Sequence, residues 1–126
     1  MSKFVFVKDN MLSKKDCDNI VKTCDKDLLT SKDYQGYDYY DIKKMNLWKF
    51  LVNKSNLIIK DYLKKYPELD LVNNTFTLTN IRFKKFSKGK SFGDWHSEHC
   101  IDYSKRILNI MYYLTDHNCG TEFYDG

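Results

Sequence analysis

The stretch RILNIMYYLT, residues 106–115, is the most apolar predicted strand of the chain, and its two faces indicate which side of the sheet forms the core. Side chains alternate between the two faces of a strand. The side chains of one face are uniformly bulky: Leu108, Ile110, Tyr112 and Leu114. The other face includes two hydrogen-bonding groups: Ile107, Asn109, Met111 and Tyr113. We therefore expect the bulky face to pack against helices as core, and the second face to lie on the opposite side of the sheet.

Further strand signals surround this stretch. Apolar, aromatic and β-branched residues separated by turn residues predict strands at 75–86, 91–100 and 121–124. In the first of these, Ile81 and Phe83 share one face. A turn is expected at 87–90, where Gly89 lies between two lysines.

The chain before residue 75 is mostly helical in pattern. Ser13, with Asp16 three residues later, is typical of a helix start, and Cys17 and Cys24 lie on the apolar stripe that follows. A longer helix is predicted from about 46 to 66, and Pro67 ends it. A short first strand is predicted at 4–7 and a loop at 31–41, where Tyr and Asp cluster.

Composition indicates one folded domain, residues 1–126, since 42% of the residues are apolar and 16% aromatic. The net charge of +4 comes from lysines spread along the chain, so we expect no nucleic-acid partner. No apolar run has the roughly 20 residues of a membrane span, and the apolar run at 4–7 is too short for the core of a signal peptide. We expect a cytoplasmic protein with free cysteines.

The residues most suited to metal binding or catalysis are concentrated at 94–100, DWHSEHC. On a strand, His96 and Glu98 point to the same side, because they are two residues apart. An imidazole beside a carboxylate supplies two of the three ligands of a 2-His-1-carboxylate iron site. The alternative is a half-exposed strand with two polar residues facing water.

Four motifs place this pair in a family context. Residues 86–98, FSKGKSFGDWHSE, resemble the spaced aromatics and His-x-Asp of Fe(II)- and 2-oxoglutarate-dependent oxygenases of the prolyl 4-hydroxylase type. Residues 106–115 are similar to that family's R-x-hydrophobic-Y-L-N strand, and 118–123, NCGTEF, to its G-G-x-T-x-F turn. Residues 6–17 are similar to the segment before its first helix. The motifs occur in the family's order.

The resemblance implies an α+β fold, with N-terminal helices packed on an incomplete double-stranded β-helix (a jelly-roll, cupin-like sheet). It implies a dioxygenase that hydroxylates prolyl or similar side chains of a protein, peptide or small molecule. The implied cofactors are Fe(II) and 2-oxoglutarate, with ascorbate as a further possibility.

The resemblance also assigns roles to residues. His96 matches the first iron ligand and Glu98 the carboxylate ligand, where most relatives carry Asp. Tyr113 matches the tyrosine whose hydroxyl contacts the distal carboxylate of 2-oxoglutarate. The cosubstrate surface also includes Asn109 and Met111. Trp95 is assigned to substrate binding, and Arg106 either to substrate binding or to holding the start of the strand. Phe86 stands where some relatives have a second cosubstrate-contacting Tyr.

The family's second iron-binding His and its basic cosubstrate anchor have no match here, and His99 and His117 are the only other histidines. We expect a C-terminally truncated oxygenase, with two alternatives: half of a split enzyme completed by a partner chain or second copy, or a non-catalytic protein-binding remnant. A zinc module is a further hypothesis, with ligands drawn from His96, His99, Cys100, His117 and Cys119, although these spacings fit no common zinc pattern.

Overall fold

The computed structural model describes residues 4–30, 36–71, 78–90, 107–116 and 120–123. Within them lie two α-helices and one three-stranded antiparallel sheet, whose strands are in the order β1-β2-β3. The elements have these bounds: α1 Lys14–Asp25, β1 Leu29–Thr30, β2 Asp38–Asp41, α2 Met45–Lys65, a 3₁₀ helix Pro67–Leu71 and β3 Arg82–Lys85. No helix in these ranges is long and apolar enough to cross a lipid bilayer.

Helix α1 begins where the sequence predicts. The Ser13 hydroxyl accepts a hydrogen bond from the Asp16 amide at 3.0 Å, and the Asp16 carboxylate accepts one from the Ser13 amide at 3.4 Å. This reciprocal pair satisfies two backbone donors that the first turn of a helix leaves open. Cys24 is completely buried, so its prediction as a core residue is confirmed.

Helix α2 covers the predicted range to within one residue at each end. Its buried stripe consists of Leu51, Ser55 and Tyr62. The last helical residue is Lys65, and Tyr66 caps the helix in a non-helical conformation, because the following Pro67 pushes the preceding residue out of helical geometry. The prediction that Pro67 terminates this helix is confirmed.

The central strand of the sheet lies where the sequence predicts a loop. We expected a loop throughout 31–41, but Asp38–Asp41 forms β2 and pairs with both β1 and β3. Aspartate disfavours strands, whereas two consecutive tyrosines favour them, and cross-strand contacts decide the outcome. Asp41 lies opposite Arg82, and the two side chains form a two-pronged ion pair at 2.7 and 3.2 Å.

The predicted strand at 4–7 is also wrong. This segment is not part of the sheet; it lies along the end of α2. The Tyr62 hydroxyl donates to the Phe4 carbonyl at 2.7 Å, and the Tyr66 hydroxyl donates to the Val5 carbonyl at 3.2 Å. Tyrosine hydroxyls thus satisfy the carbonyls that a neighbouring strand would otherwise satisfy.

Within the described part of the strand predicted at 75–86, residues 78–86, β3 is formed at Arg82–Lys85. Phe83 is buried and Ile81 packs against the same core cluster, which confirms that these two residues share a face. The turn at 87–90 is confirmed: the Lys90 amide donates to the Ser87 carbonyl at 2.9 Å. Gly89 has φ = 79°, a left-handed conformation that glycine adopts without steric cost.

The core joins both helices to the sheet. Its buried members are Ile20, Cys24, Ile42, Leu51 and Phe83. Tyr112 and Leu114 pack against this cluster from the later part of the chain. Residues 107–116 and 120–123 do not form regular strands, so the strands predicted there are not seen as such. The strand predicted at 91–100 lies outside the described residues, and the double-stranded β-helix remains a prediction.

Candidate functional site

The segment 107–114 has the two faces that its sequence predicts. Burial alternates at every residue along it. The partly buried side chains are Leu108, Ile110, Tyr112 and Leu114, and the exposed ones are Ile107, Asn109, Met111 and Tyr113. Tyr112 and Leu114 of the bulky face pack against the core cluster that includes both helices, as predicted, although no regular strand is formed. Extended backbone is sufficient for this pattern, since it also places alternate side chains on opposite sides.

A buried hydrogen bond fixes the inner face to helix α2. The hydroxyl groups of Tyr112 and Ser55 lie 2.9 Å apart, and Ser55 is only 3% exposed. Burial raises the pKa of Tyr112, while the hydrogen bond from Ser55 acts in the opposite direction. Each hydroxyl supplies the partner that the other needs once it has been removed from water. This contact sets which way the neighbouring residue, Tyr113, must face.

Tyr113 lies on the opposite, exposed face and contacts a second segment of the chain. Its hydroxyl is 2.5 Å from the Thr121 hydroxyl, a short hydrogen bond. The Thr121 hydroxyl also lies 3.6 Å from the Met111 sulfur, and the Tyr113 hydroxyl lies 4.0 Å from it. These three residues, Met111, Tyr113 and Thr121, are called the hydroxyl cluster below. They connect 107–116 to 120–123 on the side turned away from the core.

The chemistry of the hydroxyl cluster suits a carboxylate. Tyr113 and Thr121 each carry one hydroxyl group, which can donate one hydrogen bond and accept others. A carboxylate oxygen placed beside both groups can accept from both, and hydrogen bonds to a charged acceptor are stronger than those between neutral groups. The donor set therefore suits the carboxylate of a bound molecule. The thioether of Met111 offers an apolar contact next to it.

The structure brings together some predicted site residues and not others. Met111 and Tyr113 meet in the hydroxyl cluster, whereas Asn109 is exposed on the same face without joining it. The predicted iron ligands His96 and Glu98, and the predicted substrate-binding residues Trp95 and Arg106, lie outside the described residues.

Metal binding has no candidate centre in the described part of the chain. No three His, Cys, Asp or Glu side chains are grouped there so that they could hold a metal ion. Cys17 and Cys24 are free thiols, and burial is the main cause that raises the pKa of each. A raised pKa disfavours the thiolate that binds metal, so these two thiols are poor ligands. The residues of the zinc hypothesis all lie outside the described ranges.

Two participants were missed in the sequence. Thr121 lies in the motif at 118–123 and Ser55 lies in the predicted helix, but no role is predicted for either residue. The signal for Ser55 was its position four residues after Leu51 on the buried stripe, where a hydroxyl needs a partner.

No family model matches this chain, and no match was found among curated proteins or among solved structures.

Proposed function

We propose that this chain contributes the front part of the site of an Fe(II)- and 2-oxoglutarate-dependent dioxygenase that hydroxylates prolyl or similar side chains. The proposal is supported by four ordered sequence motifs and by one structural observation. That observation is the hydroxyl cluster: Tyr113, which the motifs assign to cosubstrate binding, faces away from the core beside a second hydroxyl, 2.5 Å away.

The role of the hydroxyl cluster in this proposal is to hold and orient the cosubstrate. The Tyr113 and Thr121 hydroxyls donate to the distal carboxylate of 2-oxoglutarate, and Met111 packs against its methylene groups. Binding that carboxylate replaces the mutual hydrogen bond of the two hydroxyls with two bonds to a charged acceptor. Because the Tyr112 hydroxyl is fixed to Ser55 on the inner face, the backbone that carries Tyr113 is fixed as well.

The metal in this proposal is held by His96 and Glu98. Bound Fe(II) supplies O₂ activation while 2-oxoglutarate is decarboxylated to succinate. His96 must be neutral to bind a metal, because a protonated imidazole has no lone pair to donate. Glu98 is one methylene longer than the Asp of most relatives, so either the metal lies further from this backbone or the side chain folds back. The second histidine ligand comes from outside the matched motifs, and Trp95 and Arg106 contact the substrate.

A second candidate function is a protein-binding module, or one half of a split enzyme completed by another chain. The observation that favours it is the large apolar side chains left exposed near the hydroxyl cluster. Ile107 is 39% exposed, Met111 45% and Phe123 52%. Exposed apolar groups close together are typical of surfaces that bind another protein. Under this hypothesis, oxygenase activity appears only when the partner is added.

Metal titration tests the proposal. Mn(II), a redox-stable substitute for Fe(II), is titrated under argon into the wild-type chain, His96→Ala and the matched control His99→Ala. With only two protein ligands we expect weak binding, which His96→Ala abolishes and His99→Ala leaves intact. Equal affinity in all three proteins would remove His96 as a ligand. A parallel assay should find little or no succinate from the isolated chain, and turnover comparable to a complete enzyme would contradict the proposed dependence on further residues.

A further inference from the structure

The sulfur of Met111 contacts both hydroxyl groups of the hydroxyl cluster. It lies 3.6 Å from the Thr121 hydroxyl and 4.0 Å from the Tyr113 hydroxyl, and each O–H can donate to it. The two hydroxyls are themselves 2.5 Å apart, so the thioether and both O–H groups form one compact group that joins two segments of the chain. A thioether is a weak hydrogen-bond acceptor, so in its reduced form Met111 competes poorly for these hydroxyls.

Oxidation converts the sulfur of a methionine from a weak acceptor into a strong one. In methionine sulfoxide the added oxygen carries partial negative charge, and the side chain becomes polar. The separations of 3.6 and 4.0 Å exceed the roughly 2.7 Å of an O–H···O hydrogen bond, so an oxygen bonded to the Met111 sulfur can approach both hydroxyls. The sulfoxide oxygen and a bound carboxylate would therefore use the same two donors.

The oxidation needs only a small oxidant. Met111 is 45% exposed, and hydrogen peroxide is little larger than water. A sulfur lone pair attacks one peroxide oxygen, and the S–O bond forms as the O–O bond breaks. The proton of the transferred hydroxyl passes to the departing hydroxide, which leaves as water. The sulfur loses two electrons and the peroxide gains them, so the products are the sulfoxide and one water molecule.

We infer that hydrogen peroxide converts Met111 to its sulfoxide and that the new oxygen accepts hydrogen bonds from Tyr113 and Thr121, which closes the hydroxyl cluster to a carboxylate. The consequence for 2-oxoglutarate rests on the proposed function, which assigns the same hydroxyls to the cosubstrate. The sulfoxide competes well because it is part of the chain, and an acceptor tethered beside its donors acts at an effective concentration that is roughly millimolar or higher. Oxidation also removes the apolar contact that Met111 offers the ligand.

This modification is compatible with an intact fold and is reversible. Met111 lies on the exposed face of the segment, opposite Ile110 and Tyr112, so the added polar atom does not enter the core. Methionine sulfoxide reductases return the sulfoxide to the thioether. In that step a dithiol is oxidised to a disulfide, and the sulfoxide oxygen leaves as water. Met111 is therefore a redox-sensitive switch for the hydroxyl cluster.

Urea denaturation of the full chain tests the capture of the two hydroxyls without 2-oxoglutarate. Mass spectrometry of peptides first establishes that peroxide has oxidised Met111, and dithiothreitol then reduces oxidised cysteines but leaves sulfoxides in place. We expect peroxide to lower the urea midpoint of the wild type less than that of the double variant Tyr113→Phe, Thr121→Val, because only the wild type gains hydrogen bonds between the two segments. The other methionines are oxidised in both proteins, so their effect cancels.

Ligand-observed NMR with Zn(II) then measures the affinity for 2-oxoglutarate before and after peroxide. We expect roughly tenfold weaker binding to the oxidised wild type, since hydrogen bonds to a charged group are lost, and recovery after treatment with methionine sulfoxide reductase. Met111→Leu has a similar volume but no sulfur, so its affinity should not change from its own untreated value. In the matched control Met45→Leu, a position 61% exposed in the wild type at the start of α2, peroxide should weaken binding as in the wild type.

The two measurements distinguish a failure of this inference from a failure of the proposed function. Equal midpoint shifts in the wild type and the double variant, or a Met111 that stays reduced while Met45 is oxidised, would overturn the inference. Unchanged affinity of the oxidised wild type, or equal loss in Met111→Leu, would overturn it while leaving the proposed function intact. An untreated wild type that does not bind 2-oxoglutarate contradicts the proposed function, and the urea comparison still decides whether the sulfoxide takes the two hydroxyls.

Discussion

Tyr112 and Tyr113 are adjacent in sequence and have opposite environments. Tyr112 is partly buried against the core and shares a hydrogen bond with Ser55 of α2. Tyr113 is 53% exposed and contacts Thr121 through a short hydrogen bond on the outer side. The alternation of extended backbone separates them: Tyr112 packs against the core, and Tyr113 lies on the exposed face. The two positions therefore provide matched variants, since the same substitution removes the same atoms from either face.

Truncation of the two tyrosines should produce the largest contrast. Tyr112→Ala removes an aromatic ring from the core boundary and leaves the Ser55 hydroxyl without its partner. We expect a loss of about 3 kcal/mol in the free energy of unfolding. Tyr113→Ala removes a half-exposed ring and should cost under about 1 kcal/mol. Urea denaturation followed by circular dichroism measures both, and equal losses would show that the two faces are not distinct.

The substitution Ser55→Ala is a smaller change that tests the inner face alone. Ser55→Ala removes one hydroxyl and leaves that of Tyr112 without its described partner, which should destabilise the fold by about 1 to 2 kcal/mol. Because the Ser55 hydrogen bond lowers the pKa of Tyr112, the variant should raise that pKa further. Absorbance at the phenolate band as a function of pH measures it. An unchanged titration and stability would mean that the contact is not formed.

The same pKa predicts how the inner face responds to alkali. The pKa of Tyr112 is raised in the folded state above its ordinary value of 10.0, mainly by burial. The stability that the neutral hydroxyl contributes is therefore fully present below pH 10 and is lost as the pH rises through the raised value. This sign follows because burial disfavours the phenolate, whereas the unfolded chain carries it at no such cost.

The two faces were predictable from sequence because a period of two in side-chain size is a local property of the segment 107–114. The start of α1 was predictable for a similar reason, since Ser13 and Asp16 are close in sequence. Strand β2 was not, because its stability depends on Arg82, forty-one residues away from Asp41. Thr121 was missed as a partner of Tyr113 for the same reason: nothing local indicates which hydroxyl will lie opposite.

The N-terminal segment shows a further limit of local pattern. An apolar run of strand length at 4–7 has the composition of a strand, but strand formation needs a partner along the backbone. Here the Tyr62 and Tyr66 hydroxyls donate hydrogen bonds to the carbonyls of Phe4 and Val5, respectively. The periodicity of α2 predicts that both tyrosines lie on its apolar side, but it does not indicate what their hydroxyls contact.

The affinity for 2-oxoglutarate of the wild-type chain and of two single-hydroxyl variants, Tyr113→Phe and Tyr112→Phe, is the most direct test of the cosubstrate site. Ligand-observed NMR with Zn(II), a diamagnetic substitute for Fe(II), detects weak binding. We predict that Tyr113→Phe weakens binding roughly tenfold, as expected for the loss of a hydrogen bond to a charged group, while Tyr112→Phe leaves it unchanged. Absence of 2-oxoglutarate binding to the wild type, or equal affinity in Tyr113→Phe, would contradict the account.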